Sequence, residues 1–123
     1  MQTVIAVATG GALGALGRYW IAGLFNSVHD RLPVGTLICN VLGSFIMGVL
    51  FVLIMEKAKL APELRPLLMV GFLGAFTTFS SFALETAALF EKGHIMSALI
   101  YVLFSVLLSI SALMAGIWIT RLI

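Results

Sequence analysis

Charged residues are confined to short intervals along this chain, and long apolar runs separate them. Residues 1–17 carry no charged side chain, and after Arg18 the apolar pattern resumes to Phe25. Leu32–Met55, Pro66–Leu84 and Ile95–Thr120 are likewise uncharged. A spanning helix needs about 20 predominantly apolar residues. The pattern therefore predicts an all-α membrane protein with four transmembrane helices, at about 2–25, 33–56, 64–90 and 95–121. Connections fall near residues 26–32, 57–65 and 91–94. The fourth uncharged run is 26 residues long, roughly 39 Å at ~1.5 Å per residue. It exceeds a ~30 Å hydrocarbon core, so tilt or protrusion is expected.

The third run departs from the others. Gly71 to Phe82 reads Gly-Phe-Leu-Gly-Ala-Phe-Thr-Thr-Phe-Ser-Ser-Phe, with two glycines, four hydroxyls and four phenyl rings at bilayer depth. A helix serving only as an anchor would use Leu, Ile and Val. Gly, Thr and Ser lower helix propensity, and irregular backbone at membrane depth survives only where protein or a polar cavity satisfies it. A functional break near 74–78 is the expectation.

Composition agrees with the membrane assignment. Hydrophobic residues make up 62% of the chain and charged residues 10%, against roughly 25% charged in a soluble domain; the mean hydropathy is +1.19. The chain reads as one membrane domain, 1–123, with no soluble domain, linker or low-complexity segment. No cleavable signal is expected, because a basic n-region is missing and the first apolar run is too long. Basic residues are scattered, which argues against nucleic-acid binding. With four spans, Lys57, Lys59, Arg65 and Arg121 fall on one side, and Arg31, Lys92 and Arg18 on the other. So small a bias fits one orientation or insertion both ways, which would give an inverted dimer. Small residues, namely Gly10, Gly11, Gly14 and Gly17 in the first helix and Gly43, Ser44 and Gly48 in the second, allow close helix contact. Their spacing does not say whether that contact lies within one subunit or between two.

Enzyme chemistry finds little support. The single cysteine, Cys39, falls at membrane depth, and the two histidines, His29 and His94, fall in loops. No cluster has metal-ligand spacing, and Ser80 and Ser81 have no candidate base nearby in sequence. Polar residues inside the spans carry the remaining information. Counting from the helix ends puts Arg18, Asn40, Glu85 and Tyr101 in one layer, roughly 8–10 Å below one surface. Ser97, Tyr101, Ser105 and Ser109 recur every four residues on one face of the last helix, and Phe79 and Phe82 share a face of the third. Amide and hydroxyl protons can replace water around a small anion, and phenyl edges are weakly positive. With no ring of acids to favour cations, these features suggest an anion path.

Gly14–Arg18, the run Gly35-Thr36-Leu37-Ile38-Cys39-Asn40-Val41-Leu42-Gly43 and above all Gly71–Phe82 followed by Glu85 resemble the Fluc/CrcB family of small fluoride channels, over essentially the whole chain. The family commonly has two consecutive glycines in the break, whereas here the second is Ala75. The resemblance implies an inverted (dual-topology) homodimer in the cell inner membrane, with two pores through which fluoride leaves the cytoplasm passively. It implies that Phe79 and Phe82 line each pore with Asn40 as amide donor, that Ser81 is the hydroxyl at the break, and that Tyr101, Ser105 and Ser109 form a polar track. Glu85 and Arg18 would shape the pore end. Gly74 and Thr77 would offer backbone carbonyls to a structural sodium ion on the dimer axis. A broken helix frees carbonyl oxygens, and two per subunit would make four neutral oxygens, suited to a hard monovalent cation. Two other classes are weighed. A small multidrug-type proton-coupled exporter would have to use Glu85 as its membrane carboxylate. A non-transporting assembly subunit would leave Asn40 and the serine row without a purpose.

Overall fold

The computed structural model describes residues 1–26 and 32–123; His29 and Arg31 lie outside the described residues. In chain order the elements are α1 (Gln2–Phe25), α2 (Val34–Leu50), a wider π-helical continuation Phe51–Glu56, a second π-helical stretch Pro66–Leu73, α3 (Gly74–Phe76), α4 (Phe79–Glu91) and α5 (Ile95–Leu122). Among the described residues there is no strand. Four spans, Gln2–Phe25, Val34–Glu56, Pro66–Glu91 and Ile95–Leu122, are long and apolar enough to cross a membrane.

Local chemistry explains where these elements start and stop. Pro66 opens its stretch at the first position, where a missing N–H costs nothing and the fixed φ suits a helix. Gly93, at φ 79°, ends α4. The Gly93 N–H donates to Phe90 O at 3.0 Å and the His94 N–H to Leu89 O at 2.9 Å. This left-handed cap satisfies the last carbonyls of α4 and turns the chain directly into α5. At the opposite end of α5, Lys57 Nζ donates to the carbonyls of Thr120 (2.9 Å) and Arg121 (3.1 Å), and Arg121 forms an exposed ion pair with Glu56.

Two extensive seams organise the bundle, α1 against Pro66–Leu73 and α2 against α5. Glycine makes both possible. A β-carbon on Gly10 or Gly14 would collide with the carbonyl oxygen of Leu67 or Phe72, and one on Gly71 would stand 2.7 Å from Val7 O. On the other seam, β-carbons on Gly48 and Gly116 would strike Leu113 O and Phe45 O. In lipid, where burying apolar surface drives little, such close backbone approach is a main source of helix association. Gly10, Gly14 and Gly48 are thus used within one subunit. Buried side chains form two small clusters: Cys39, Leu73 and Phe76 beside the first seam, and Phe82, Leu89, Ala98 and Tyr101 between α4 and α5. Many large apolar side chains face outward, Leu16, Leu103, Leu107 and Trp118 among them.

Candidate functional site

Between α3 and α4 the backbone of Thr77 (φ −86°, ψ 153°) and Thr78 (φ −151°, ψ 120°) is extended. Two side chains compensate for the helical bonds missing there. Thr78 is the N-cap of α4, its Oγ1 accepting from the Ser81 N–H at 3.1 Å. Threonine suits this role because its hydroxyl reaches an otherwise orphaned amide. Asn40, on α2, clamps the same residue: the Thr78 N–H donates to Asn40 Oδ1 at 2.7 Å, and Asn40 Nδ2 donates to Thr78 O at 3.0 Å. One Nδ2 proton remains after this clamp, since a carboxamide carries two.

These bonds decide what the neighbouring carbonyls can do. In an unbroken helix, Gly74 O would accept from the Thr78 N–H and Thr77 O from the Ser81 N–H. Here the first amide donates to Asn40 and the second to the Thr78 hydroxyl. The Ala75 carbonyl accepts from Arg18 Nε at 3.0 Å. The Thr77 hydroxyl turns back onto Leu73 O at 2.8 Å. The carbonyls of Gly74 and Thr77 are therefore released from the helical ladder, and as neutral hard oxygens they suit a hard cation.

A groove of about 330 Å³ opens beside this segment, walled by α2, α4 and α5. Asn40 and Ser44 line it from α2, Thr77 and Thr78 from the extended residues, Phe79 and Phe82 from α4, and Ser105 and Ser109 from α5, with Val106 and Ile110 completing the wall. The Phe79 and Phe82 centroids lie 5.4 Å apart with planes at 58°, and Phe82 continues to Tyr101 at 5.2 Å and 48°. Tilted rings at this distance present edges as well as faces. Phe79 is 78% exposed whereas Phe82 is buried, so only Phe82 is anchored within the subunit. Ser105 Oγ is buried and has no hydrogen-bond partner among the described residues. An unpaired buried hydroxyl carries a desolvation penalty, which a ligand in the groove would relieve.

Glu85 sits off this groove in a separate cluster. Its Oε1 accepts from Thr36 Oγ1 at 2.7 Å and its Oε2 from the Tyr101 hydroxyl at 2.8 Å. Asn26 joins Thr36 from behind, with Nδ2 3.3 Å from Oγ1.

The structure thus gathers Asn40, Phe79, Phe82, Ser105 and Ser109 around one groove and ties Tyr101 to it through the Phe82 ring. Ser81 is half-buried beside it and contributes its backbone amide to the cap. Gly74 is exposed on the outer surface of the subunit. Arg18 and Glu85 belong to different clusters and do not pair. Asn26 escaped the sequence reading, and Thr36 and Thr78 entered it only as members of the Gly35–Gly43 and Gly71–Phe82 runs, with no partner or role of their own. Thr78 could have been found as the capping hydroxyl three residues before Ser81. Thr36 is buried, at 3% exposure, but the identity of its carboxylate partner depends on a contact 49 residues away. Among the described residues no group of three or more His, Cys, Asp or Glu side chains could hold a metal ion.

Known proteins resemble this chain closely. A protein named Fluoride-specific ion channel FluC from Saccharophagus degradans is 53% identical over 117 residues, covering 95% of this chain and 88% of the relative. Proteins of the same name from Hahella chejuensis and Rhodospirillum centenum are 50% and 49% identical, covering 98% of this chain and 95% and 97% of their own lengths. The family model described as "CrcB-like protein, Camphor Resistance (CrcB)" matches residues 5–117, and the chain belongs to that family.

Proposed function

We propose that this protein is a passive, fluoride-selective ion channel, a multi-pass protein of the cell inner membrane that lets cytoplasmic fluoride out. The observation that carries this reading is the groove itself. It offers a spare Asn40 amide proton, tilted phenyl edges and an unpaired Ser105 hydroxyl, and no acidic side chain lines it. Such a wall supplies donors to a small anion and offers no carboxylate ring to favour cations. Relatives that share about half of their residues with this chain carry the name of fluoride channels. The proton-coupled exporter is not favoured: both oxygens of Glu85 are occupied by hydroxyl donors within the subunit.

Thr77 and Thr78 are read as a functional break in the third span, and the working unit as an inverted homodimer. Gly74 supports this. Its φ of −61° needs no glycine, and a β-carbon there would meet only Met69 O, at 3.8 Å. An exposed glycine with no use inside the subunit suits close approach by a second copy at a closed twofold. The released carbonyls of Gly74 and Thr77 would then meet their symmetry mates, four neutral oxygens for a structural sodium ion. The outward apolar side chains would face lipid and the partner.

Purified protein in liposomes, read with a fluoride electrode, tests the function. Fluoride should leave down its own gradient with no proton gradient and no nucleotide. Strict proton coupling, or no flux at all, overturns the assignment.

A further inference from the structure

On α5 the polar positions that recur every four residues stop at Ser109, and the next position in that row is Leu113. α2 and α5 run the same way: Thr36 and Tyr101 meet at Glu85 toward one end, and Gly48 packs against Leu113 O toward the other. The β-carbon position of Gly48 lies between the Leu113 carbonyl and the Ile117 amide. One turn back on α2, Ser44 therefore stands level with the interval between Ser109 and Leu113. The groove reaches no farther along α2 than Ser44 and no farther along α5 than Ile110. Where the hydroxyls of α5 run out, α2 thus supplies one more, four residues past Asn40 and on the same face.

Ser44 is half-buried, and two ordinary uses of a serine at this depth do not account for it. Hydroxyls in membrane helices commonly turn back onto the carbonyl four residues earlier, as those of Thr77, Thr86 and Thr120 do here. Among the described residues, however, the side-chain hydrogen bonds of α2 belong to Thr36 and Asn40, which leaves the Ser44 proton uncommitted. Close packing onto the extended segment falls to its neighbour Gly43, whose β-carbon position is taken by the Thr77 side chain.

We infer that Ser44 is a further anion contact in fluoride conduction: its hydroxyl continues from α2 the row of donors that α5 ends at Ser109, and it is the last donor an ion meets before the wall turns apolar. The inference rests on the channel reading above. An ion stripped of water loses a charge-assisted hydrogen bond wherever the wall offers no proton, so a donor at this level shortens the bare stretch.

Ser44→Ala removes the hydroxyl and little else. Fluoride efflux from liposomes should fall about fivefold, within the range for one neutral hydroxyl donor, while elution and melting stay those of the parent. Ser44→Thr and Ser44→Val have nearly the same shape and differ in the hydroxyl, so any steric cost falls on both; S44T should conduct about fivefold faster than S44V. Parent-like efflux through S44A would overturn the inference, and so would equal efflux through S44T and S44V. An S44A protein that no longer folds would make Ser44 a packing residue and would overturn it equally. A parent protein that carries no fluoride would instead overturn the channel reading.

Discussion

The seam between α1 and Pro66–Leu73 and the groove between α2, α4 and α5 are opposite solutions to packing helices in lipid. In the seam, Gly10, Gly14 and Gly71 bring backbone onto backbone; the Gly10 β-carbon position is only 2.8 Å from Phe72 N. In the groove, Asn40, Thr77, Thr78 and the two phenylalanines line an open space of about 330 Å³. The seam has no room for a methyl group, whereas the groove has room for several waters or small ions. Close packing and open space are thus assigned to different faces of the third span. Small residues lock its first half to α1, while hydroxyls, an amide and rings line the open space beside its second half. The seam should therefore be intolerant of added volume and indifferent to polarity, and the groove the reverse.

The largest effect is expected from breaking the seam. Gly14→Val would drive a β-branched side chain into the Phe72 carbonyl, an atom that cannot move without displacing the span. Overpacking of this kind costs about 1–3 kcal/mol and occasionally more. Loss of a monodisperse, folded protein on size-exclusion chromatography is the expected result. Gly23→Ala is the control: no atom lies within 4 Å of its β-carbon position, and alanine gains about 1 kcal/mol of helix propensity, so the variant should melt no lower than the parent. If G14V folds and melts normally, the seam is not the rigid face.

Next come the groove residues whose chemistry, not bulk, matters. Asn40→Asp removes the donor to Thr78 O and places a negative charge in the groove proposed as the anion path. Fluoride efflux should drop by about a hundredfold, equivalent to ~2.7 kcal/mol on the barrier. Phe79→Ile keeps an apolar side chain at an exposed position but removes the ring edge. It should cut efflux about tenfold with the melting temperature unchanged, because Phe79 is 78% exposed and contributes little burial. Normal efflux through either variant would separate the groove from the conduction path.

Ser109→Ala should have the smallest effect. Ser109 lines the groove but is only half-buried, and one neutral hydroxyl contributes about 0.5–1.5 kcal/mol. A fewfold decrease in efflux is expected, with no change in stability. A loss as large as that of N40D would move the narrowest part of the path toward Ser109 and away from Asn40.

Hydropathy and spacing are local properties, and what depends on them is readable from the chain alone. Four uncharged runs determine four spans because lipid demands length and apolarity whatever the neighbours are. The Gly71–Phe82 composition marks where the third span departs from an anchor. A period of four puts Ser105 and Ser109 on one face of α5, and a spacing of three does the same for Phe79 and Phe82 on α4. Pairing across helices is different, and only the tertiary structure decides it. Asn40 reaches Thr78 over 38 residues, Thr36 reaches Glu85 over 49, and Arg18 reaches Ala75 over 57. Depth counting places Arg18 and Glu85 near one level, yet helix rotation sends one to a carbonyl and the other to two hydroxyls. The glycines are equally visible in sequence, but which backbone each one meets follows from how the helices turn their faces, and residue spacing along one helix carries no information about its neighbour.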